Sequence, residues 1–126
     1  MLLDTHAFLW RAVGSARLSG VAADALDDPA NVALVSAASA WEVATKHRIG
    51  KLPEGRAIVL RFAQVVRELR FDELPITTEH ALAAGSFEAA HRDPFDRMLA
   101  AQAAVEGAVI VTTDPVFAAF GVETLW

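Results

Sequence analysis

Four acids stand where their carboxylates could do chemistry: Asp4, Glu42, Asp96 and Asp114. Each lies where an apolar stretch gives way to a turn or to the first turn of a helix. Asp4 closes Met1-Leu2-Leu3, and Asp114 follows Val109-Ile110-Val111 after two threonines. Glu42 follows Val32-Ala33-Leu34-Val35 across a short Ser/Ala connection, and Asp96 sits in the opening turn of the helix before residue 109. In an open parallel sheet the carboxyl ends of the strands share one edge, and ligands bind there. Carboxylates gathered on that edge repel one another unless a cation lies between them. The set therefore predicts a site for a hard divalent cation such as Mg²⁺, with Mn²⁺ as a substitute, and hydrolysis of a phosphate ester as its chemistry. Because Mg²⁺ takes one or two carboxylates and keeps several waters, Asp4 and Asp96 are the expected direct ligands. Glu42 and Asp114 are expected to bind directly or through water.

Each acid also has a purely structural role open to it. Asp4 could cap the helix that follows it. Ser39-Ala40-Trp41-Glu42 has the spacing of a capping box. Asp93 precedes a proline suited to the first helical position, so Asp93 is the expected cap and Asp96 is left to face the cleft. Asp114-Pro115 could simply open a turn. One shared site accounts for all four acids more economically than four separate roles. Three further residues are candidate substrate contacts: Lys46, one turn beyond Glu42, Arg97 beside Asp96, and Thr112. Lys46 can equally well pair with Glu42 as an ordinary i,i+4 neighbour.

The elements that must position these groups alternate strand and helix. The apolar runs at 32–35 and 109–112 suit strands covered on both faces. Leu74-Pro75-Ile76 contains a proline and belongs at a sheet edge, and 122–125 forms a last, weaker strand. Helices are expected from about Ala7 to Gly14, from Ser19 through Leu26, from Ser39 to near Gly50 with Pro53 marking the break, from Arg56 to Arg70, from Thr78 to about Ala89, and from Pro94 to Gly107. The pattern gives an α/β fold: a central, mostly parallel sheet of about five short strands between helical layers, in one domain spanning 1–126.

Composition narrows the classes further. The chain has 126 residues, of which 54% are hydrophobic, enough for a packed core. It has no cysteine, and its histidines lack paired metal-ligand spacing, which excludes thiolate and zinc-finger chemistry. A net charge of −5 argues against a nucleic-acid coat protein. Neither a membrane span nor a secretory leader is visible, so a cytoplasmic location is expected. His6 is expected to pack locally and His91 to sit in an exposed loop. Trp10, Trp41, Phe62 and Phe87 could serve as base-stacking platforms, but core packing or a protein interface is the expected role, since aromatics at helical spacing usually serve burial.

Asp4-Thr5-His6, Ser39-Ala40-Trp41-Glu42, Asp93-Pro94-Phe95-Asp96-Arg97 and Thr112-Thr113-Asp114, in this order, resemble the PIN-domain ribonucleases, specifically VapC-like toxins of bacterial toxin–antitoxin pairs. The likeness runs from Leu2 to Trp126. It implies a three-layer α/β/α fold, magnesium- or manganese-dependent cleavage of RNA, and inhibition by a small cognate VapB-like antitoxin. It also implies that Asp4, Glu42, Asp96 and Asp114 are the family's four acids, and it supports dimerisation. Hydrolysis by water needs no ribose 2′-hydroxyl, so products with a 5′-phosphate and a 3′-hydroxyl are expected. Two other classes compete. A catalytically silent interaction module on the same fold would not need the four acids. A receiver-type phosphoacceptor would want a lysine after a late strand, where this chain has Thr112-Thr113-Asp114.

Overall fold

The computed structural model describes residues 1–52 and 55–126. The break expected at Pro53 lies outside the described residues. The elements run β1 (Leu2–Leu3), α1 (Thr5–Ala12), α2 (Gly20–Asp27), β2 (Leu34–Ser36), α3 (Ala37–Arg48), α4 (Gly55–Glu68), β3 (Asp72–Leu74), α5 (Thr78–Ser86), α6 (Pro94–Glu106), β4 (Ile110–Val111) and β5 (Thr124–Leu125), with a 3-10 turn at Pro115–Phe120. The five strands form one sheet in the order β3-β2-β1-β4-β5, and every pairing is parallel.

Side chains alternate across a strand, so the register sorts the core into two layers. Leu2 and Ile110 are paired neighbours and lie in one cluster with Leu99, Ala100, Ala103, Phe117 and Phe120. Leu3, Val35 and Val111 are paired on the opposite face, among Ala7, Phe8, Ala22, Leu26, Val66 and Phe71. Helical layers cover both faces, which is why β1 and β4 are apolar at every position. The result is the three-layer α/β/α arrangement expected from the sequence. Among the described residues no helix is long and apolar enough to cross a membrane.

The boundaries differ from expectation in instructive ways. β2 begins at Leu34 rather than Val32, because its partner β1 begins only at Leu2; Val32 lies beyond the pairing and is 58% exposed. α3 begins at Ala37 rather than Ser39. Ser36 ends β2 and its hydroxyl at once accepts from the Ala38 N–H at 2.9 Å, leaving no loop between strand and helix. The capping box that the Ser39–Glu42 spacing left open is therefore absent, and Glu42 lies mid-helix. β3 is an edge strand as expected, but it precedes Pro75 instead of containing it. Asp93 does cap α6, with Pro94 inside the first turn and Gly107 left-handed just past the end, at φ 61°.

Candidate active site

The carboxyl edge of the sheet carries a cavity of about 150 Å³ lined by Asp4, Thr5, His6, Glu42, Lys46, Asp93, Asp96, Asp114 and Phe117. All four acids singled out in the sequence border it. Asp4 arrives from the end of β1, Glu42 from the second turn of α3, Asp96 from the first turn of α6, and Asp114 from the turn after β4.

Asp4 is 6% exposed and engaged on both oxygens. Oδ1 caps α1 by accepting from the Ala7 N–H at 2.6 Å, and Oδ2 accepts from the Thr112 hydroxyl. Thr112 in turn accepts from the Asp114 N–H at 2.9 Å. A hydroxyl has one proton, so Thr112 must spend it on Asp4 and offer a lone pair to Asp114. It is buried and ties two acids 110 positions apart in the chain into one unit. Thr112 is thus a positioning residue for Asp4 and Asp114, not the substrate contact expected. Asp114 caps the 3-10 turn through Oδ1, which accepts from Val116 N–H at 2.9 Å, and is itself exposed.

Glu42 is 5% exposed. Its Oε2 accepts from the Thr5 hydroxyl, and Thr5 lies 3.1 Å from the Ser39 hydroxyl. Since Thr5 gives its proton to Glu42, Ser39 donates to Thr5. Lys46 pairs with Glu42 Oε1, so this lysine takes the ion-pair role, with its ammonium on the cleft wall. Asp96 is half-buried, and its Oδ2 lies 2.7 Å from His91 Nε2.

Burial pushes the Asp4 carboxyl above the ordinary carboxylate range, outweighing the Ala7 and Thr112 hydrogen bonds and the nearby His6; the charge on Glu42 adds to the rise. Burial likewise raises Asp96, opposed by the His91 hydrogen bond and reinforced by Asp93 and Glu42. Burial disfavours the charged form of both carboxyls and the Glu42 charge adds to that cost, so a cation bound there would favour their ionised forms. Among the described residues, no three His, Asp or Glu groups stand together as a ready-made coordination sphere. A Mg²⁺-type ion does not need one, because one or two carboxylates suffice and water fills the rest. The donors are all oxygens, and the cavity exceeds the roughly 30 Å³ that one water occupies in the liquid. The residues present therefore fit such an ion.

Arg97 lies elsewhere than expected. Its guanidinium donates to the carbonyls of Ala84, Phe87, Ala89 and His91 at 2.6–3.0 Å and packs over the Phe87 and Phe120 rings. Every one of its nitrogens is committed to the last turn of α5 or to the segment between α5 and α6, so it clamps that loop and does not point into the cleft. The same loop carries His91 back onto Asp96. Sequence reasoning missed His91, Thr5 and Ser39 as partners of the acids. The only local signal for His91 was its position five residues before Asp96, across the Asp93-Pro94 cap.

The chain matches the PIN domain family over residues 1–123. No curated protein sequence matches it. Among solved structures it is similar to the crystal structure of FitAcB from Neisseria gonorrhoeae, with a TM-score of 0.69 and 19% identity over 99% of this chain and 96% of that one. At that identity the likeness speaks for the fold. With the family match covering nearly all of its length, the chain belongs to the PIN-domain family, whose members are generally nucleases.

Proposed function

We propose that the chain is a Mg²⁺- or Mn²⁺-dependent endoribonuclease acting as the toxin of a toxin–antitoxin pair. The observation that carries this reading is the convergence of Asp4, Glu42, Asp96 and Asp114, from four separate segments, on one small cleft in which two carboxyls are raised. A bound divalent ion would supply charge neutralisation at the scissile phosphate and a more acidic water. Asp4 and Asp96 would hold it, Glu42 and Asp114 would bind directly or through water, and one of these carboxylates would be placed to accept a proton. His91 fixes the rotamer of Asp96 from outside the cleft, as the outer partners of metal ligands do. Lys46 pairs with Glu42 and presents a cation to a phosphate entering the cleft.

A small antitoxin is the proposed partner. The chain's exposed Leu60 and Leu82, and the apolar groove between α3, α4 and β3, offer surface for it or for a second copy in a homodimer. A cytoplasmic location suits both RNA and antitoxin. A silent interaction module on the same fold would have no use for a buried Asp4 and a half-buried Asp96 beside Glu42, which cost stability unless they work.

Incubation of the purified chain with oligoribonucleotides, with Mg²⁺ or with a chelator, tests the proposal. Cleavage should need the ion and leave 5′-phosphate and 3′-hydroxyl ends. Asp4→Asn and Asp96→Asn should each lower kcat/KM by about 100-fold or more, since charge stabilisation by such an ion is worth several kcal/mol. Ion-dependent cleavage that survives both substitutions would remove the site assignment. A cyclic 2′,3′-phosphate product would remove the mechanism.

A further inference from the structure

Trp41 is 56% exposed, the one aromatic among the large exposed hydrophobics of the described residues. The other candidate aromatics are accounted for by packing. Phe62 and Phe87 lie against the two core clusters, and Trp10 packs edge-on against Trp126 at 5.5 Å. Trp41 instead meets a single ring, Phe95, at 4.7 Å and 72°. The residue after Trp41 is Glu42 and the residue after Phe95 is Asp96, so the aromatic pair is built on the same two helical turns that carry two of the acids.

The face of α3 around this indole is open. Ala37, Trp41, Ala44 and Arg48 follow one another at i, i+4, i+7 and i+11 and are all exposed. Neither alanine is large enough to cover the ring, and a cation stands one turn further on. A protein interface is built around a contiguous apolar centre. One large flat ring between two methyl groups, ending in a guanidinium, instead fits a base with its phosphate.

Electrostatics point the same way. The chain carries a net charge of −5 and its cleft is ringed by acids, so phosphate contacts alone are a poor source of affinity for a polyanion. Stacking of a base on an aromatic ring is indifferent to net charge.

We propose that Trp41, held edge-on by Phe95, is a stacking platform for a nucleobase next to the scissile phosphate of single-stranded RNA, with Arg48 meeting the adjoining backbone. This rests on the ribonuclease reading and deepens it by assigning a base-binding subsite.

The test compares the wild-type chain with Trp41→Leu, which keeps apolar bulk, and Trp41→Phe, which keeps a ring. Each is checked for native circular dichroism and for solution mass. Cleavage kinetics, and anisotropy titrations of a labelled oligoribonucleotide without divalent ions, are then measured. Trp41→Leu should raise KM and Kd by about 5- to 150-fold, the range for one stacked base, with kcat at saturation within about twofold. Trp41→Phe should restore most of the loss. The dependence of Kd on salt should be the same in all three, because no phosphate contact is removed. An abasic site moved along the oligonucleotide should, at one position, erase the difference between wild type and Trp41→Leu. Equal affinities for wild type and Trp41→Leu would overturn the proposal, as would a loss that no abasic position removes. A Trp41→Leu chain that binds RNA normally but changes its solution mass would assign this face to a protein. If the wild type binds RNA through Trp41 and cleaves nothing, the hydrolase reading fails and the stacking site stands. If it cleaves and Trp41→Leu is unchanged, the reverse holds.

Discussion

At the scale of single residues, the cleft holds charge that the folded chain alone does not fully compensate. Asp4 and Asp96 both have carboxyls raised from the ordinary value of 3.8, burial being the main cause in each. Between 3.8 and their raised values the folded state binds more protons at these sites than the unfolded state. Their contribution to stability therefore falls as pH rises through that window, and above it the cost is fully present. In metal-free protein at neutral pH, Asp96→Asn should raise Tm in a calorimetric scan, and the gain should shrink as pH is lowered toward 3.8. A lower Tm at neutral pH would show that the His91 contact outweighs the buried charge. Protons and cation compete for these oxygens, so affinity for Mg²⁺ should weaken as pH falls into the same window. The identities of the four acids were legible in the sequence because each follows a recognisable strand or opens a recognisable helix. The Lys46 partner of Glu42 was legible too, from its i,i+4 spacing, but the partners distant in sequence were not. Thr112 reaches Asp4 across 108 positions, and no local pattern announces such a bond.

At the scale of elements, the connection between α5 and α6 is where the sequence was least informative. It has no regular structure of its own, and Arg97 supplies the order that backbone pairing supplies elsewhere. A planar guanidinium can serve four carbonyls arranged around it; a lysine ammonium has three donors at a single point. Arg97→Lys should cost about 2–4 kcal/mol, at roughly 1–3 kcal/mol for each charged hydrogen bond lost and not remade. That corresponds to a Tm lower by roughly 10 °C in a chain of this size. Because the loop carries His91, the same substitution should weaken Mn²⁺ binding by about 10-fold, the usual cost of disturbing an outer partner of a ligand. A stable Arg97→Lys chain with normal affinity would assign the loop's order to Phe87 and Phe120 instead. The strands were easier to find, since Leu2-Leu3, Val35 and Ile110-Val111 are buried on both faces and have no polar alternation to blur them. Their ends were misjudged where pairing, not hydrophobicity, sets the limit, as at Val32. The start of α3 was misjudged because Ser36 and Ser39 are both good caps and only the strand's exact end chooses between them.

At the scale of the whole molecule, the ion and the fold are linked. Four segments converge on one cavity, and a ligand bound there only in the folded state stabilises all of them together. At a Mg²⁺ concentration of about 100 times Kd the gain is about 2.7 kcal/mol, or roughly 10 °C in Tm. Thermal scans with Mg²⁺ and with a chelator should show this shift in the wild type and lose most of it in Asp4→Asn. An equal shift in Asp4→Asn would place the ion elsewhere. The overall architecture could be foreseen because strand–helix alternation leaves few right-handed parallel topologies to consider. The strand order followed only from the structure.

That order bears on synthesis. β1 is the middle of the sheet, and one of its two neighbours, β4, lies far downstream of it in the chain, after six helices. Asp4 leaves the ribosome well before Thr112 and Asp114, the residues that complete its surroundings. A growing chain therefore carries a cleft that is short of a wall until β4 and the turn after it have been made.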